Sequence, residues 1–460
     1  MPLAAGAALS RPAHTPAAIH AMLPGSINGP IRVDTDFEGA SLTVERITGT
    51  TVIARLRHEA VCRADGGVYD YNRHFAFGIE NLSGADIDAE ILIGCASADD
   101  LPDTPALLFT ADSPNDEFSR TDVWSRADAH KAYAIRVRLS SGQRRYFANY
   151  LFRPYRFLTL LFDRLGRAGG AERGVIGRSV ESRDLVRYSY TRPATAKGVR
   201  PAMLVTSGVH PPEPDTLATE AIMEYLATAQ SERLRDTFDV HVVPVMNPDG
   251  FVHGYNGCNA NEINFYWLFD RHDQVRCPEA HALWALAEHV RPVVYFDWHG
   301  YTFQRGAKHA APYVKPVILH SGARVRRLVR TLNSRVQKVA DGHRTTGFLT
   351  YAPSTLATQL TLAFNTITYA KYHLELRLGE ARNRRLAIET LEAVLDTMID
   401  AGIRDARSIL KRPYGNIRPD PVARVAQRLV FWWGGHARPT LGRLRRRFAG
   451  PSSSVAESPV

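Results

Sequence analysis

Long apolar runs and cysteines are both scarce in this sequence. No stretch of its 460 residues approaches ~18 consecutive apolar positions, so we predict no membrane-spanning helix. The cysteines form no CxxC pair, which argues against a cysteine-bound metal and favours a reduced, cytoplasmic chain without disulfides; they are Cys62, Cys95, Cys258 and Cys277. Residues 1–28 lack both a basic start and an unbroken apolar core, so we expect a flexible lead and not a signal peptide.

Acidic residues are scarce near the end of the chain, and this imbalance accounts for most of the net charge of +10. From position 403 onward there are twelve basic and three acidic residues, a difference of nine, which leaves one excess positive charge for the rest. We expect residues 412–460 to form a basic, flexible tail. Its amphipathic VARVAQRLVFWW could contact an anionic membrane or an acidic partner, although solvated disorder explains it more simply. No nucleic-acid module is recognised, so no nucleic-acid partner is expected.

Two patterns of secondary structure divide the remaining chain. Residues 29–165 hold short β-prone runs such as SLTVERI and AYAIRVRLSSG, a spacing typical of an antiparallel β-sandwich or barrel. Residues 166–411 alternate apolar strands such as PVVYFDWHG with helical segments such as TLATEAIMEYL. This alternation predicts an α/β fold with a mixed, mainly parallel sheet and helices on both faces. Two domains also agree with a length too great for one compact core.

Candidate metal ligands follow two of the predicted parallel strands. His210 and Glu213, in SGVHPPEPDT, come directly after PAMLVT, and His299 ends PVVYFDWHG. Ligands gather at the carboxyl ends of such strands. HPPE by itself is explained more simply as a stiff, solvated turn. A histidine at the mouth of a second strand favours a metal, because His, Glu and His form a ligand set of catalytic Zn²⁺, which keeps a fourth position for water.

Three further polar residues could complete the chemistry. Asp297, two residues before His299, could orient that ligand from behind or could simply cap the strand. Glu375, in KYHLELRLG, could take a proton from metal-activated water and later hand it to a leaving amine. Asn264, in NANEINFYW, could donate a hydrogen bond to the substrate. These residues together favour hydrolysis of an amide bond.

The order of these motifs resembles that of the zinc metallocarboxypeptidases. HPPE, NPDG (247–250), DWHG and Glu375 occur in that family's order, and VIGRSVESRDL looks like its opening segment. More specifically, the chain resembles the cytosolic carboxypeptidases, which trim glutamates from tubulin and other proteins and place a β-sandwich before the catalytic domain. DFEGASLTV, VWSR and YFANYLFRPYRF look like pieces of that sandwich. The resemblance, over roughly residues 36–400, implies that His210, Glu213 and His299 bind one Zn²⁺ ion and that Glu375 is the general base and acid.

The sequence departs from this family at both of its substrate-binding arginines. Gly257, in GYNGC, stands where the family has the arginine that polarises the scissile carbonyl. Phe265 stands where the family has the arginine that grips a C-terminal carboxylate, and a phenyl ring offers neither its charge nor its bidentate geometry. Tyr351 lies near the family's mobile tyrosine and is, with Asn264 and Phe265, a predicted substrate-binding residue.

Two specificities and one non-catalytic role remain open. In a carboxypeptidase, another cation could replace the missing arginines; candidates on nearby segments are Arg271, Arg276, Arg305 and Lys308. Alternatively, the substrate has no free carboxylate, and the enzyme is an amidohydrolase or deacylase with Phe265 lining an apolar pocket. A non-catalytic zinc-binding protein of the same fold would also keep the three ligands, although it would not need Glu375. We therefore expect a hydrolase with a peptide or amide substrate.

Overall fold

The structure is a computed structural model of the chain. It describes residues 29–62, 68–70, 74–94, 108–127, 132–192, 200–266, 269–300, 314–315, 322–339, 346–347, 355–370, 379–403 and 406–410. Several sequence predictions lie outside these described residues, namely those on the lead 1–28, the tail 412–460, Arg305, Lys308, Tyr351 and Glu375.

The first described strands form two five-stranded sheets. In chain order the strands are β1 (Ile31–Asp34), β2 (Thr43–Thr48), β3 (Thr51–Arg55), β4 (Ala60–Cys62), β5 (Val68–Asp70), β6 (Ala76–Asn81), β7 (Ile87–Gly94), β8 (Phe109–Ala111), β9 (Ser119–Arg120), β10 (Trp124–Ala127), β11 (Ala132–Leu139) and β12 (Arg144–Ala148). One sheet has the order β1-β6-β12-β8-β9 and the other the order β10-β11-β7-β3-β2, while β4 pairs with β5.

The two sheets pack face to face as a β-sandwich. Along β7 every second side chain is buried, which is the pattern of a strand with one face in a core. Phe77 and Ile79 of one sheet share a buried cluster with Ile91 and Ile93 of the other. Most pairs are antiparallel, as predicted, but β3 and β7 run parallel. Between β3 and β7 the chain passes through β6, which belongs to the opposite sheet, and this path provides the crossover that a parallel pair requires.

The second part of the chain is built on one eight-stranded sheet. Its strands are β13 (Glu172–Arg178), β14 (Asp184–Tyr190), β15 (Ala202–Thr206), β16 (Asp239–Val243), β17 (Val294–Asp297), β18 (Val314–Lys315), β19 (Thr346–Gly347) and β20 (Ile367–Ala370), in the spatial order β13-β14-β16-β15-β17-β20-β18-β19. The four central strands β16, β15, β17 and β20 are parallel, and β13 and β14 add antiparallel strands at one edge. The predicted mixed, mainly parallel sheet is confirmed.

Helices cover both faces of this sheet. They are α1 (Tyr155–Ala168), α2 (Thr216–Leu226), α3 (Glu232–Thr237), α4 (Pro248–His253), α5 (Pro278–Val290), α6 (Ala323–Val339), α7 (Leu356–Phe364) and α8 (Glu380–Asp400). On β15, Met203 and Val205 pack in a cluster with α1, α2, α6 and α8, whereas Leu204 packs with α5 and α7. Both faces of the central strands are therefore apolar. No helix in the described part of the chain has the length and apolar character needed to cross a bilayer.

The predicted domain boundary between residues 165 and 166 falls inside α1. Leu158, Phe162 and Leu165 of this helix are buried in the same cluster as the central strands of the eight-stranded sheet. Helix α1 thus packs with the second part of the chain, and a boundary before Tyr155 fits this packing better. The division into domains itself stays a prediction.

The carboxyl ends of β15, β16 and β17 lie side by side, because Thr206 is in register with both Val243 and Asp297. The loop after β15 runs close to the loop after β16. At Gly208, where φ is +67°, a Cβ atom would lie 2.8 Å from the carbonyl oxygen of Pro244, so only glycine permits this approach. The fold thereby brings the predicted ligand-bearing loops to one edge of the sheet.

Candidate metal centre

Two histidines and a glutamate converge where β15 and β17 end. His210 and Glu213 occupy a turn closed by a hydrogen bond of 2.9 Å from the Glu213 amide to the His210 carbonyl. His299 follows the last residue of β17 by two positions. Because β15 and β17 are neighbouring parallel strands, the two imidazole rings come within 5.1 Å of each other, centroid to centroid. Both rings are buried.

The Glu213 carboxylate lies between the two rings. Its Oε1 is 3.1 Å from Nδ1 of His210, and its Oε2 is 3.1 Å from Nδ1 of His299. The three ligand atoms lie within 4.8 Å of one another. In a tetrahedral zinc site with bonds of about 2.0–2.2 Å, neighbouring ligand atoms are roughly 3.3 Å apart, so the spacing fits Zn²⁺. The donor types fit as well, since two imidazoles and one carboxylate leave a coordination position open.

Buried charges surround this site. Burial raises the pKa of Glu213, but the neighbouring His210 and His299 outweigh it and hold that pKa below its usual range. Burial also lowers the pKa of His299, but the carboxylates of Asp297 and Glu213 outweigh it and raise the pKa to about 10. A proton on the His299 imidazole thus balances the buried carboxylates when no cation is present. A divalent ion would take over this role and release that proton.

Asp297 supports His299 from the side away from Glu213. Its Oδ1 lies 3.1 Å from Nε2 of His299 and accepts a hydrogen bond of 3.3 Å from the Thr206 hydroxyl. With Nε2 facing Asp297, Nδ1 faces Glu213. A carboxylate behind a histidine ligand typically fixes the orientation of the ring and raises its basicity. This geometry favours the orienting role for Asp297 over a strand-end cap.

A second buried aspartate, missed in the sequence analysis, shapes the turn that bears His210 and Glu213. Asp215 accepts a hydrogen bond of 2.8 Å from the Gly208 amide at the start of that turn. Burial and the nearby charge of Glu213 raise the pKa of Asp215 above its usual range. The residue stands in the quoted HPPEPDT, but only the folded turn brings its side chain back to position 208.

The NPDG motif joins three loops of the site. Asn247 caps α4 by accepting from the Gly250 amide at 3.0 Å. Its Nδ2 donates to the Val209 carbonyl at 3.2 Å, next to His210, and to the Cys258 carbonyl at 2.9 Å. One side chain therefore ties the His210 loop to the chain that follows α4.

Asp249 of the same motif is anchored by VIGRSVESRDL. Its carboxylate accepts from the Ser179 hydroxyl at 2.6 Å, the Glu181 amide at 3.0 Å and the Arg183 guanidinium at 2.6 Å. Asp249 is fully buried, so these three donors replace its hydration. The two motifs thus depend on each other physically, and their contacts position loops of the site.

Gly257 lies against both the ring of His210 and the side chain of Asn264. A Cβ atom at Gly257 would lie 2.6 Å from Nδ2 of Asn264 and 2.7 Å from Cδ2 of His210. A side chain at position 257 would therefore displace Asn264 or His210. Asn264 is buried, with its Nδ2 close to Gly257.

Phe265 is fully buried in the apolar cluster that also contains Leu283 and Trp284 of α5. Its ring offers no surface to a ligand in this structure. The fold thus places Phe265 in its core, whereas the sequence analysis expected this residue to line a substrate pocket.

Tyr266, which the sequence analysis missed, lies next to the two histidines of the candidate metal site. Its ring lies 4.4 Å from that of His299 and 5.3 Å from that of His210, both edge to face. Its place beside Asn264 in NFYW was the available hint. Sequence alone could not show which of the consecutive aromatics faces the histidines.

The two described candidates for a replacement cation make contacts elsewhere. The guanidinium of Arg271 lies 4.4 Å above the Trp284 ring. Arg276 is largely exposed and forms an ion pair of 2.6 Å with Asp273. Arg305 and Lys308, like Glu375 and Tyr351, lie outside the described residues.

Comparison with known proteins finds a family model that matches part of the chain, including His210 and Glu213. Residues 171–280 match the family model described as zinc carboxypeptidase. The chain is 29% identical over 134 residues to cytosolic carboxypeptidase 1 of Xenopus laevis, which covers 27% of this chain and 11% of that protein. It is 31% identical over 111 residues to cytosolic carboxypeptidase 4 of Homo sapiens, covering 22% and 10%. The chain spans about a tenth of the length of these curated relatives.

Solved structures share the fold over most of the chain. A metallo-carboxypeptidase from Burkholderia cenocepacia superposes with a TM-score of 0.64 at 18% identity, covering 80% of this chain and 99% of that one. A metallo-carboxypeptidase from Pseudomonas aeruginosa gives 0.61 at 17% identity, with the same coverage. At these identities the likeness concerns the fold, which is that of the metallocarboxypeptidases.

Proposed function

We propose, from the zinc carboxypeptidase domain recognised at residues 171–280, that the chain is a zinc-dependent hydrolase of amide or peptide bonds. One Zn²⁺ ion would be held by His210, Glu213 and His299. The observation that carries this proposal is the convergence of two buried Nδ1 atoms on the two oxygens of one carboxylate. The proposed general base and acid is Glu375, on the strength of its position in the sequence.

The residues of the chain would divide the chemistry between them. When bound, zinc supplies a Lewis acid that polarises a carbonyl and lowers the pKa of water. His210 and His299 would present neutral Nδ1 atoms, and Asp297 would hold the proton on Nε2 of His299. Glu375 would take the proton of the attacking water on its carboxylate and pass it to the nitrogen of the leaving amine.

The specificity of this hydrolase has two candidates, a carboxypeptidase and an amidohydrolase or deacylase, and two observations bear on the choice between them. Position 257 has no room for an arginine side chain, and Phe265 is enclosed in the core. Neither position can therefore present a guanidinium to the substrate. We infer that an amidohydrolase or deacylase, acting on substrates without a free C-terminal carboxylate, is a serious alternative to a carboxypeptidase. The latter would need Arg305, Lys308 or another cation.

Location and further partners are proposed on the same basis. The curated relatives are named cytosolic carboxypeptidases, and we propose a cytoplasmic location for this chain also. The substrate would be a peptide or an amide. Contact of the basic tail with an anionic membrane or an acidic partner stays a prediction from the sequence.

The proposal is tested by metal content and by turnover of matched peptides. The purified chain is assayed on peptides that differ only in a free, amidated or acylated end, beside Glu375→Gln and the exposed control Glu45→Gln. We expect about one bound zinc, and a loss of roughly 10²–10⁴-fold in kcat for Glu375→Gln alone. Preference for free ends indicates a carboxypeptidase, and preference for blocked ends an amidohydrolase. Zinc without turnover indicates a non-catalytic binding protein, and absence of zinc contradicts the proposal.

A further inference from the structure

The loop after α4 is held by residues of the N-terminal sandwich. We call residues 254–258 the site loop. His74, which is fully buried, donates from Nε2 to the Gly254 carbonyl at 3.0 Å. The guanidinium of Arg57 lies 4.7 Å above the ring of Tyr255. A Cβ atom at Gly254 would lie 2.4 Å from the Ala40 carbonyl oxygen, so the two parts of the chain are in close backbone contact here.

Glu59 accepts several hydrogen bonds from this loop. Its carboxylate accepts from three consecutive amides, those of Asn256, Gly257 and Cys258, the latter two at 2.9 Å. Consecutive amides that point to one place form a concavity suited to an anion. The Glu59 side chain is almost fully buried, so it occupies this concavity in place of water.

The site loop in turn fixes one face of a metal ligand. Gly257 packs against His210 so closely that a Cβ atom would come within 2.7 Å of Cδ2 and 3.3 Å of Nε2 of that ring. These are the ring atoms on the side away from Nδ1. The Cys258 carbonyl is also joined through Asn247 to the carbonyl of Val209, the residue before His210. A shift of the site loop would therefore displace the His210 imidazole.

We propose that Glu59 is a positioning residue for the metal centre: from the sandwich it holds the site loop against His210 and thereby sets zinc affinity. This inference rests on the proposed zinc site. It assigns the sandwich a part in the chemistry, although the sandwich contributes none of the described ligands. Removal of a group that orients a histidine ligand typically lowers metal affinity by about 10- to 100-fold, and the same range is expected here.

The test measures the zinc dissociation constant of the full chain by competition with a chromogenic chelator. Wild type is compared with Glu59→Ala, Glu59→Gln and Glu38→Gln. Glutamine keeps one acceptor for the three amides but places an NH₂ group against the others. Glu38 is the matched control, because it also belongs to the sandwich and accepts a backbone amide outside it, that of Arg156 at 2.9 Å, which is not part of the site loop. Thermal unfolding of each metal-free protein is recorded in parallel.

We expect Glu59→Ala to bind zinc about 10- to 100-fold more weakly, Glu59→Gln to lie between it and wild type, and Glu38→Gln to match wild type. If Glu59→Ala does not fold, the intermediate affinity of Glu59→Gln decides the question. A purely structural role would lower the unfolding temperature of the metal-free Glu59 variants and leave their zinc affinity unchanged, which would overturn the inference. Wild-type protein without zinc affinity would instead overturn the proposed function itself, so the two failures are distinguishable.

Discussion

Replacing Gly257 by alanine should disturb the metal centre with a single methyl group. The added Cβ would lie 2.6 Å from Nδ2 of Asn264 and 2.7 Å from Cδ2 of His210. Relaxed contacts between such atoms are about 3.5–4.0 Å, so neighbouring groups must move by about 1 Å. Overpacking of this kind costs about 1–3 kcal/mol. Zinc ligands must hold their distances to within about 0.2 Å, so a displaced His210 should also weaken zinc binding by about 10-fold or more.

The assay combines chemical denaturation of the metal-free protein with chelator competition for zinc. Gly84→Ala is the matched control, since a Cβ atom there meets no other atom within 4 Å and the backbone needs no positive φ. We expect Gly257→Ala to lose both unfolding free energy and zinc affinity, and Gly84→Ala to lose neither. If Gly257→Ala binds zinc as tightly as wild type at unchanged stability, the close packing of position 257 on His210 is refuted.

Two further predictions concern buried residues whose environment determines their behaviour. Burial lowers the pKa of His74 from its ordinary 6.5 to about 3, so the unfolded chain binds more protons between these values and stability falls as the pH drops through this window. Between pH 7 and pH 5 His74 alone should lower the free energy of unfolding by about 2 kcal/mol. In His74→Gln the free energy of unfolding should therefore fall less steeply with decreasing pH. The same slope as wild type would contradict the lowered pKa of His74. Phe265→Arg should destabilise the fold by several kcal/mol, about the penalty of burying a charge, and should not create a carboxylate-binding site. Phe265→Leu should lower the free energy of unfolding far less. A soluble Phe265→Arg protein that gains activity on free C-termini would count against the buried placement of Phe265.

The candidate metal ligands could be predicted from the sequence because the signals that mark them are local. A mostly apolar run followed by polar residues indicates where a buried strand ends, and His210 and His299 follow such ends by four and two positions. Parallel strands place those ends on one edge, so the sequence pattern alone predicted that the two loops would meet. The pattern did not show that β15 and β17 are direct neighbours. The contact between Asp297 and Thr206, which helps to place Asp297 behind His299, depends on that pairing.

The burial of Phe265 and the extent of helix α1 could not be predicted from the sequence, because both depend on packing between distant segments. The aromatic run NFYW contains no periodic signal that says which ring faces the core, and only packing against α5 and α7 buries Phe265 while Tyr266 meets the histidines. Helix α1 continues through position 165 because its apolar face finds a partner in the eight-stranded sheet. The parallel pairing of β3 with β7 likewise follows from the path of the chain through the other sheet.

The sequence by itself determined the types of strand and helix and the residues able to bind a metal, since each of these depends on residue identity and short-range spacing. Tertiary structure alone decided which atoms face one another. Glu59 and Gly257 are 198 positions apart in the chain and share a hydrogen bond only because a sandwich and an α/β sheet pack together. Local sequence periodicity does not predict contacts of that kind, because they form only when the folded chain brings both residues together and removes them from water.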